Sequence, residues 1–182
     1  MKKIIESAWE NKSILENEET KQAIYSVIDK LDKGELRVAE PSNTGWIVNE
    51  WVKKAVILYF PIQKMKTIEI GPLEFHDKIP LKSNYAKKGI RVVPHAVARH
   101  GAYISKGVIL MPSYVNIGSH IDEGTMIDTW ATVGSCAQIG KNVHNLQGTS
   151  MAAPMVAGAA AMLKSYSPEL SMKEIKEVLY RT

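Results

Sequence analysis

Residues Val97 to Val143 read VARH GAYISKGVIL MPSYVNIGSH IDEGTMIDTW ATVGSCAQIG KNV, and their spacing decides the fold. A large apolar residue returns every six positions: Val97, Tyr103, Ile109, Val115, Ile121, Ile127, Val133 and Ile139. Four residues after each stands Gly101, Gly107, Ser113, Ser119, Thr125, Ala131, Ala137 or Val143, small in seven cases of eight. Neither the 3.6-residue period of a helix nor the two-residue period of a strand fits. A six-residue period is the mark of a hexapeptide β-helix. Each hexad supplies one short strand and one turn, with the large residue inward and the small one where the backbone turns tightly. Three hexads make a triangular coil, so eight hexads predict fewer than three coils, each burying the face of the next.

Upstream the period is absent. Ile4, Ile5, Ala8 and Trp9 fall at helical spacing, and so do Ala23, Ile24, Val27, Ile28 and Leu31, with Gly34 placed as a C-terminal cap. Leu36 to Ala39 predicts a short strand, and Pro41, Ser42, Asn43 and Gly45 a turn. Trp51, Ala55, Val56, Leu58 and Tyr59 suit a third helix stopped by Pro61, although Ile57 to Phe60 also fits a strand. Downstream the period stops after His144, because Asn145 and Thr149 take the next large and small positions. A small-residue helix is expected from Ser150 to about Lys164, with Pro154 near its first turn, where proline is tolerated. Ser167-Pro168 breaks it. Ser171 and Glu174 form a capping box that opens a short helix with Ile175, Val178 and Leu179 on one face. The expected organisation is therefore 1–91, a helical or α+β domain; 92–144, the hexapeptide coil; and 145–182, a fragment of two helices.

Composition narrows the function classes. Apolar residues are 45% and charged residues 23% of 182, the balance of an ordinary globular chain, which excludes wholesale disorder. A net charge of +4 with no basic block gives no argument for nucleic acid. The one cysteine, Cys136, excludes a disulfide framework and a cysteine-based zinc site and suits a reducing, cytoplasmic setting. Its thiol is expected to be packed and inert. Glu6 and Glu10 interrupt any signal-like apolar segment. The apolar run Met151 to Leu163 falls short of the ~20 residues of a spanning helix, so no membrane partner is expected. His120 and His144 do not form a metal pair, and no metal or bound cofactor is expected. Trp9, Trp46, Trp51 and Trp130 are read as core or interface, and Lys53-Lys54 and Lys87-Lys88 as solvated charges.

Two resemblances follow from particular runs. LRVAEP (Leu36 to Pro41), NEWVKKAVIL (Asn49 to Leu58), GIRVVP (Gly89 to Pro94), MPSYVNIG (Met111 to Gly118) and DEGTMIDTWATVGSCAQIGKNVH (Asp122 to His144) closely resemble the tetrahydrodipicolinate N-succinyltransferases of bacterial lysine synthesis. That resemblance covers residues 1–144. It implies a left-handed parallel β-helix and a homotrimer with active sites between subunits. It also implies succinyl transfer from succinyl-CoA, as co-substrate, to the amine of the ring-opened acceptor. Arg91 and Asp128 match the family's acceptor-binding positions. The chemistry suits them: an arginine grips a carboxylate of the dicarboxylate acceptor with two parallel bonds, and an aspartate can hold the amine and accept its proton.

The run GTSMAAPMVAGAAAMLKSY (Gly148 to Tyr166) resembles the subtilisin-like serine proteases, over residues 148–180. The resemblance makes Ser150 the nucleophile. Such a serine needs a histidine base oriented by a carboxylate, and the motifs that carry them in the family are missing. His100-Gly101 is the nearest imitation. Ser150 is thus expected to be inactive, a helix-capping serine.

The transferase resemblance ends before the later coils, which carry most of the CoA site in that family, so impaired transfer is expected. We read the junction between His144 and Gly148 as the join of two truncated genes. The functions in view are an impaired succinyltransferase, an inactive protease fragment, and a non-catalytic β-helix stub.

Overall fold

The computed structural model describes residues 1–145 together with Leu170, Ser171, Lys173 and Glu174. The chain divides into two units, Met1–Asn145 and Leu146–Thr182.

The first unit opens with helices α1 (Lys2–Glu10) and α2 (Glu18–Lys33), separated by a 3-10 turn at Lys12–Glu16. Glu18 and Glu19 in the first turn of α2 and Lys30 and Lys33 in its last complement the helix dipole. Gly34 ends α2 in the left-handed conformation (φ +75°), as its place in the sequence predicts. A side chain there would lie 2.6 Å from the Tyr103 ring, so space as well as backbone requires glycine. Helix α3 (Glu50–Ile62) completes the module. Ile24, Val27, Ile28 and Leu31 of α2 bury against Val52, Ala55, Val56 and Tyr59 of α3 and Ile5 and Ala8 of α1, and Ile117 of the coil joins the same cluster.

Three local expectations shift. The strand expected at Leu36 to Ala39 lies instead at β1 (Ala39–Ser42), paired antiparallel with β2 (Gly45–Val48). The Ser42↔Gly45 pair closes a two-residue turn, and Pro41 is tolerated because the ribbon has only edges. Pro61 does not stop α3, which runs on to Ile62; at the helix end little is lost with the missing N–H. Residues 57–60 are helical. A second hairpin, β3 (Lys66–Ile70) with β4 (Leu73–Asp77), turns at Gly71-Pro72 without a strong prior signal.

The coil follows as ten two-residue strands: β5 (Arg91–Val92), β6 (Val97–Ala98), β7 (Tyr103–Ile104), β8 (Ile109–Leu110), β9 (Tyr114–Val115), β10 (His120–Ile121), β11 (Met126–Ile127), β12 (Thr132–Val133), β13 (Gln138–Ile139) and β14 (His144–Asn145). They stack in parallel as β5-β8-β11-β14, β6-β9-β12 and β7-β10-β13, the three faces of a β-helix-like coil. Ten strands make slightly more than three coils, not fewer, since the repeat begins at Arg91 and β14 continues it at Asn145, opposite Ile127.

The inward phase also differs at the start. Ala98, Ile104 and Leu110 are buried, whereas Val97, Tyr103 and Ile109 are only half-buried on the opposite side of the pleat. From Val115 onward the expected row holds: Val115, Ile121, Ile127 and Val133 are buried, with Ser113, Ser119, Thr125 and Ala131 beside them. Leu110 and Val115 are five apart, so one repeat is a residue short. Gly101 and Gly107 accordingly sit at turns (φ +86° and +79°) while Ala102 and Val108 point inward.

Gly101 lies where the module meets the coil. A Cβ there would come within 2.8 Å of Ile117 and 3.0 Å of Ile28. Gly101→Ala is expected to lower stability by about 2–4 kcal/mol, from left-handed strain and overpacking together. A fall in the urea midpoint at unchanged m value checks it.

Trp9 and Trp51 pack on the helical core, but Trp46 (62%) and Trp130 (74%) are exposed on this chain, so of the core-or-interface reading the core alternative fails for those two. Lys88 is exposed, and its Nζ also lies 3.5 Å from Asp32. Ser171 and Glu174 form the expected capping box, the serine Oγ and N–H donating to Oε2 (2.7 and 2.8 Å) and the Glu174 N–H donating to Oγ (3.3 Å). The helices expected at 150–164 and 175–179 lie outside the described residues. Among the described residues no helix is long and apolar enough to cross a membrane.

Candidate functional site

Arg91 opens β5 and is exposed. Its N–H donates to the Val108 carbonyl (3.0 Å), and its Cα stands level with Ile109 of β8, itself level with Met126 of β11. Asp128 follows β11 two residues after Met126, and residues two apart share a face. Both functional candidates therefore lie on the outer side of one stack, their backbones two rungs, about 10 Å, apart along it. The Asp128 carboxylate is oriented by its own turn: Oδ1 accepts the Thr129 N–H at 2.7 Å, while the Asp128 carbonyl accepts the Ala131 N–H at 3.0 Å. This face offers an exposed cation and a half-buried carboxylate to a small ligand bearing an anionic and a cationic group. Ser150 lies outside the described residues.

His100, the nearest imitation of a protease histidine, is engaged elsewhere. Its Nε2 is 3.1 Å from Asp29 and its Nδ1 3.4 Å from Asp32, both on α2. The hydrogen bond to Asp32 outweighs burial and raises the imidazole pKa. A ring whose two nitrogens both face carboxylates is a structural cation, not a free base. Asp32 also takes the Lys82 ammonium (2.5 Å) and the Gly101 N–H (2.9 Å), and Lys82 donates on to the Ala102 carbonyl (2.6 Å). Burial opposes ionisation of Asp32, but the bonds from His100 and Lys82 prevail and hold its carboxyl well below the usual range. Burial pushes Lys82 down, against the pull of Asp32. This anchor ties α2 to the first coil, and nothing in the sequence marked it.

The anchor makes stability depend on pH. The Asp32 contribution is present above about pH 4, its unfolded pKa, and is lost as pH falls below that. The His100 contribution is complete below about pH 6.5 and is lost as pH rises through the raised folded value. These groups favour folding most between those limits. His100→Gln is expected to remove the alkaline decline and to shrink the acid one, where Lys82 and the Gly101 N–H still hold Asp32, read from urea midpoints between pH 3 and 9.

A second polar cluster joins the segment after α2 to the coil. His120 is buried, stacks on Tyr103 at 4.5 Å and meets Asp122 at 3.2 Å; burial and then the Arg37 charge push its pKa down. Arg37 in turn donates to Gln138 at 3.0 Å. Cys136 is half-buried beside Gly118, and burial raises its thiol pKa, which suits an unreactive sulfur. Among the described residues no group of three or more His, Cys, Asp or Glu side chains could hold a metal.

Coil and face together form a β-helix-like arrangement of parallel strands with an α/β module in front. Known proteins narrow this. Residues 1–62 match the family described as Tetrahydrodipicolinate N-succinyltransferase N-terminal. The chain is 53% identical over 135 residues to the 2,3,4,5-tetrahydropyridine-2,6-dicarboxylate N-succinyltransferase of Idiomarina loihiensis, covering 71% of this chain and 49% of the relative. It is 52% identical over 151 residues to that of Acinetobacter baylyi (78% and 55%) and 46% over 168 residues to that of Cereibacter sphaeroides (85% and 61%). The chain spans about half the length of the curated relatives it matches. Residues 98–182 match the Subtilase family. That span begins upstream of the Gly148 motif, and its stretch through residue 145 is hexapeptide coil.

Proposed function

We propose that this chain carries the acceptor-binding half of an N-succinyltransferase acting on tetrahydrodipicolinate in the diaminopimelate route to lysine. Arg91 takes one acceptor carboxylate through its planar fork. Once water has added across the ring C=N and opened it, Asp128 holds the freed amine and removes its proton as the nitrogen attacks the thioester carbonyl of succinyl-CoA. The C–N bond forms, the C–S bond breaks, and CoA leaves as the thiol after taking up a proton. The observation that carries this reading is the placement of Arg91 and Asp128 on one outer face, within a segment about half identical to named succinyltransferases.

The domains are 1–91, 92–144 and 145–182, the coil is left-handed, and the working form is a cytoplasmic homotrimer with sites between subunits. The donor is succinyl-CoA, taken as a co-substrate beside the acceptor. Positioning donor beside acceptor supplies about 7–11 kcal/mol where it is complete. The test is CoA release from succinyl-CoA that depends on added acceptor.

A second reading rests on the Subtilase match. It makes residues 148–180 a protease fragment in which Ser150 lacks its base and is inactive.

A further inference from the structure

We infer that Ile109, Met111 and Met126 form an apolar strip that carries the methylene chain of the opened acceptor from Arg91 to Asp128, and so selects the acceptor by its length. The inference rests on the function proposed above. The register sets Arg91, Ile109 and Met126 in one column of the β5-β8-β11 stack. Met111 stands one rung from Asp128, its N–H donating to the Ile127 carbonyl at 2.9 Å. Leu110 and Ile127 are buried, so the alternation of a strand turns Ile109, Met111, Met126 and Asp128 outward. The three apolar side chains are half-buried, and none belongs to the core of the coil.

The other two faces are built differently. At the same outward positions of the middle rung, the β6-β9-β12 stack has Tyr114 and Asn116, and the β7-β10-β13 stack has His120 and Asp122. The stack that holds both charged candidates has Ile109 and Met111 there instead. Apolar side chains that face water gain burial when a ligand covers them. Opening the proposed acceptor leaves three consecutive methylenes between the carbon bearing the amine and the carbonyl beside the far carboxylate. With that carboxylate on Arg91 and the amine on Asp128, the methylenes cross the rung of Ile109 and Met111. The backbones of the two charged residues lie two rungs, about 10 Å, apart along the stack, and this separation sets the span. A shorter chain cannot engage both ends and still cover the strip. Each methylene taken from water onto apolar surface is worth about fourfold in affinity.

Three probes carry the same charges and differ only in methylenes: 2-aminopimelate, 2-aminoadipate and glutamate. Binding of each to the full chain is measured by calorimetry, beside Met111→Gln, Met111→Leu and Arg91→Ala. Affinity is expected to fall about fourfold or more with each methylene lost. Met111→Gln keeps the length of the side chain and removes its apolar character. It should weaken 2-aminopimelate ~10-fold and leave glutamate within about twofold, while Met111→Leu keeps the affinity of the unsubstituted chain. Arg91→Ala should weaken 2-aminopimelate. Equal affinity for the three probes overturns the strip without any substitution, and so does a Met111→Gln loss that is the same for every probe. If Arg91→Ala still weakens 2-aminopimelate in that case, the proposed function survives the loss of the strip. A change of mass by light scattering in Met111→Gln, with affinities unchanged, makes the strip an interface between copies and overturns the inference. Failure of the unsubstituted chain to bind any of the probes overturns the strip and the proposed function together.

Discussion

Asp128→Ala is expected to lower acceptor-dependent CoA release by about 100- to 10,000-fold, the range of a lost general base. The carboxylate is held by the Thr129 N–H and by the turn that follows β11, so it meets the amine without reorganising. Removing it leaves the attacking nitrogen protonated at neutral pH, and an ammonium has no lone pair to give. Arg91→Ala acts differently. It should raise the acceptor KM by roughly 10- to 100-fold, since each charge-assisted bond to a carboxylate contributes about 1.5–3 kcal/mol. Arg91→Lys should recover only part, because an ammonium cannot reproduce the fork. Steady-state rates with varied acceptor separate the two. An unchanged rate in Asp128→Ala would refute its role.

The second large effect concerns folding. Asp32→Ala is expected to cost about 3–5 kcal/mol, the range for breaking a buried ion pair from one side. Lys82 retains a nearly buried ammonium (2% side-chain exposure) with its carboxylate gone. The Gly101 N–H and His100 lose the same partner. The double substitution Asp32→Ala, Lys82→Met should recover a large share, since it removes the stranded charge. Urea unfolding of the four proteins at one pH gives the coupling directly.

The coil was legible because its period is unlike that of any other element, and from Val115 to Val133 the inward row falls where the spacing predicts. Upstream the phase was hidden. Val97-Ala98, Tyr103-Ile104 and Ile109-Leu110 are adjacent apolar pairs, and spacing alone favoured the wrong member of each. The single short repeat before Val115 then brought the two phases together. Arg91 and Asp128 stood out only through resemblance, since an arginine before Val-Val-Pro and an aspartate after an apolar residue carry no signal of their own. The Asp32–Lys82 anchor joins residues 50 positions apart, and neither lies in a motif. Trp130 was read as core or interface; that its side chain stands exposed at the turn after β11 appears only once the turns are stacked.

The most direct measurement is acceptor-dependent CoA release by this chain beside the full-length Idiomarina loihiensis relative, at saturating succinyl-CoA and acceptor. The proposed function predicts release that requires both the acceptor and Asp128. Release indifferent to the acceptor or to Asp128 would contradict the site.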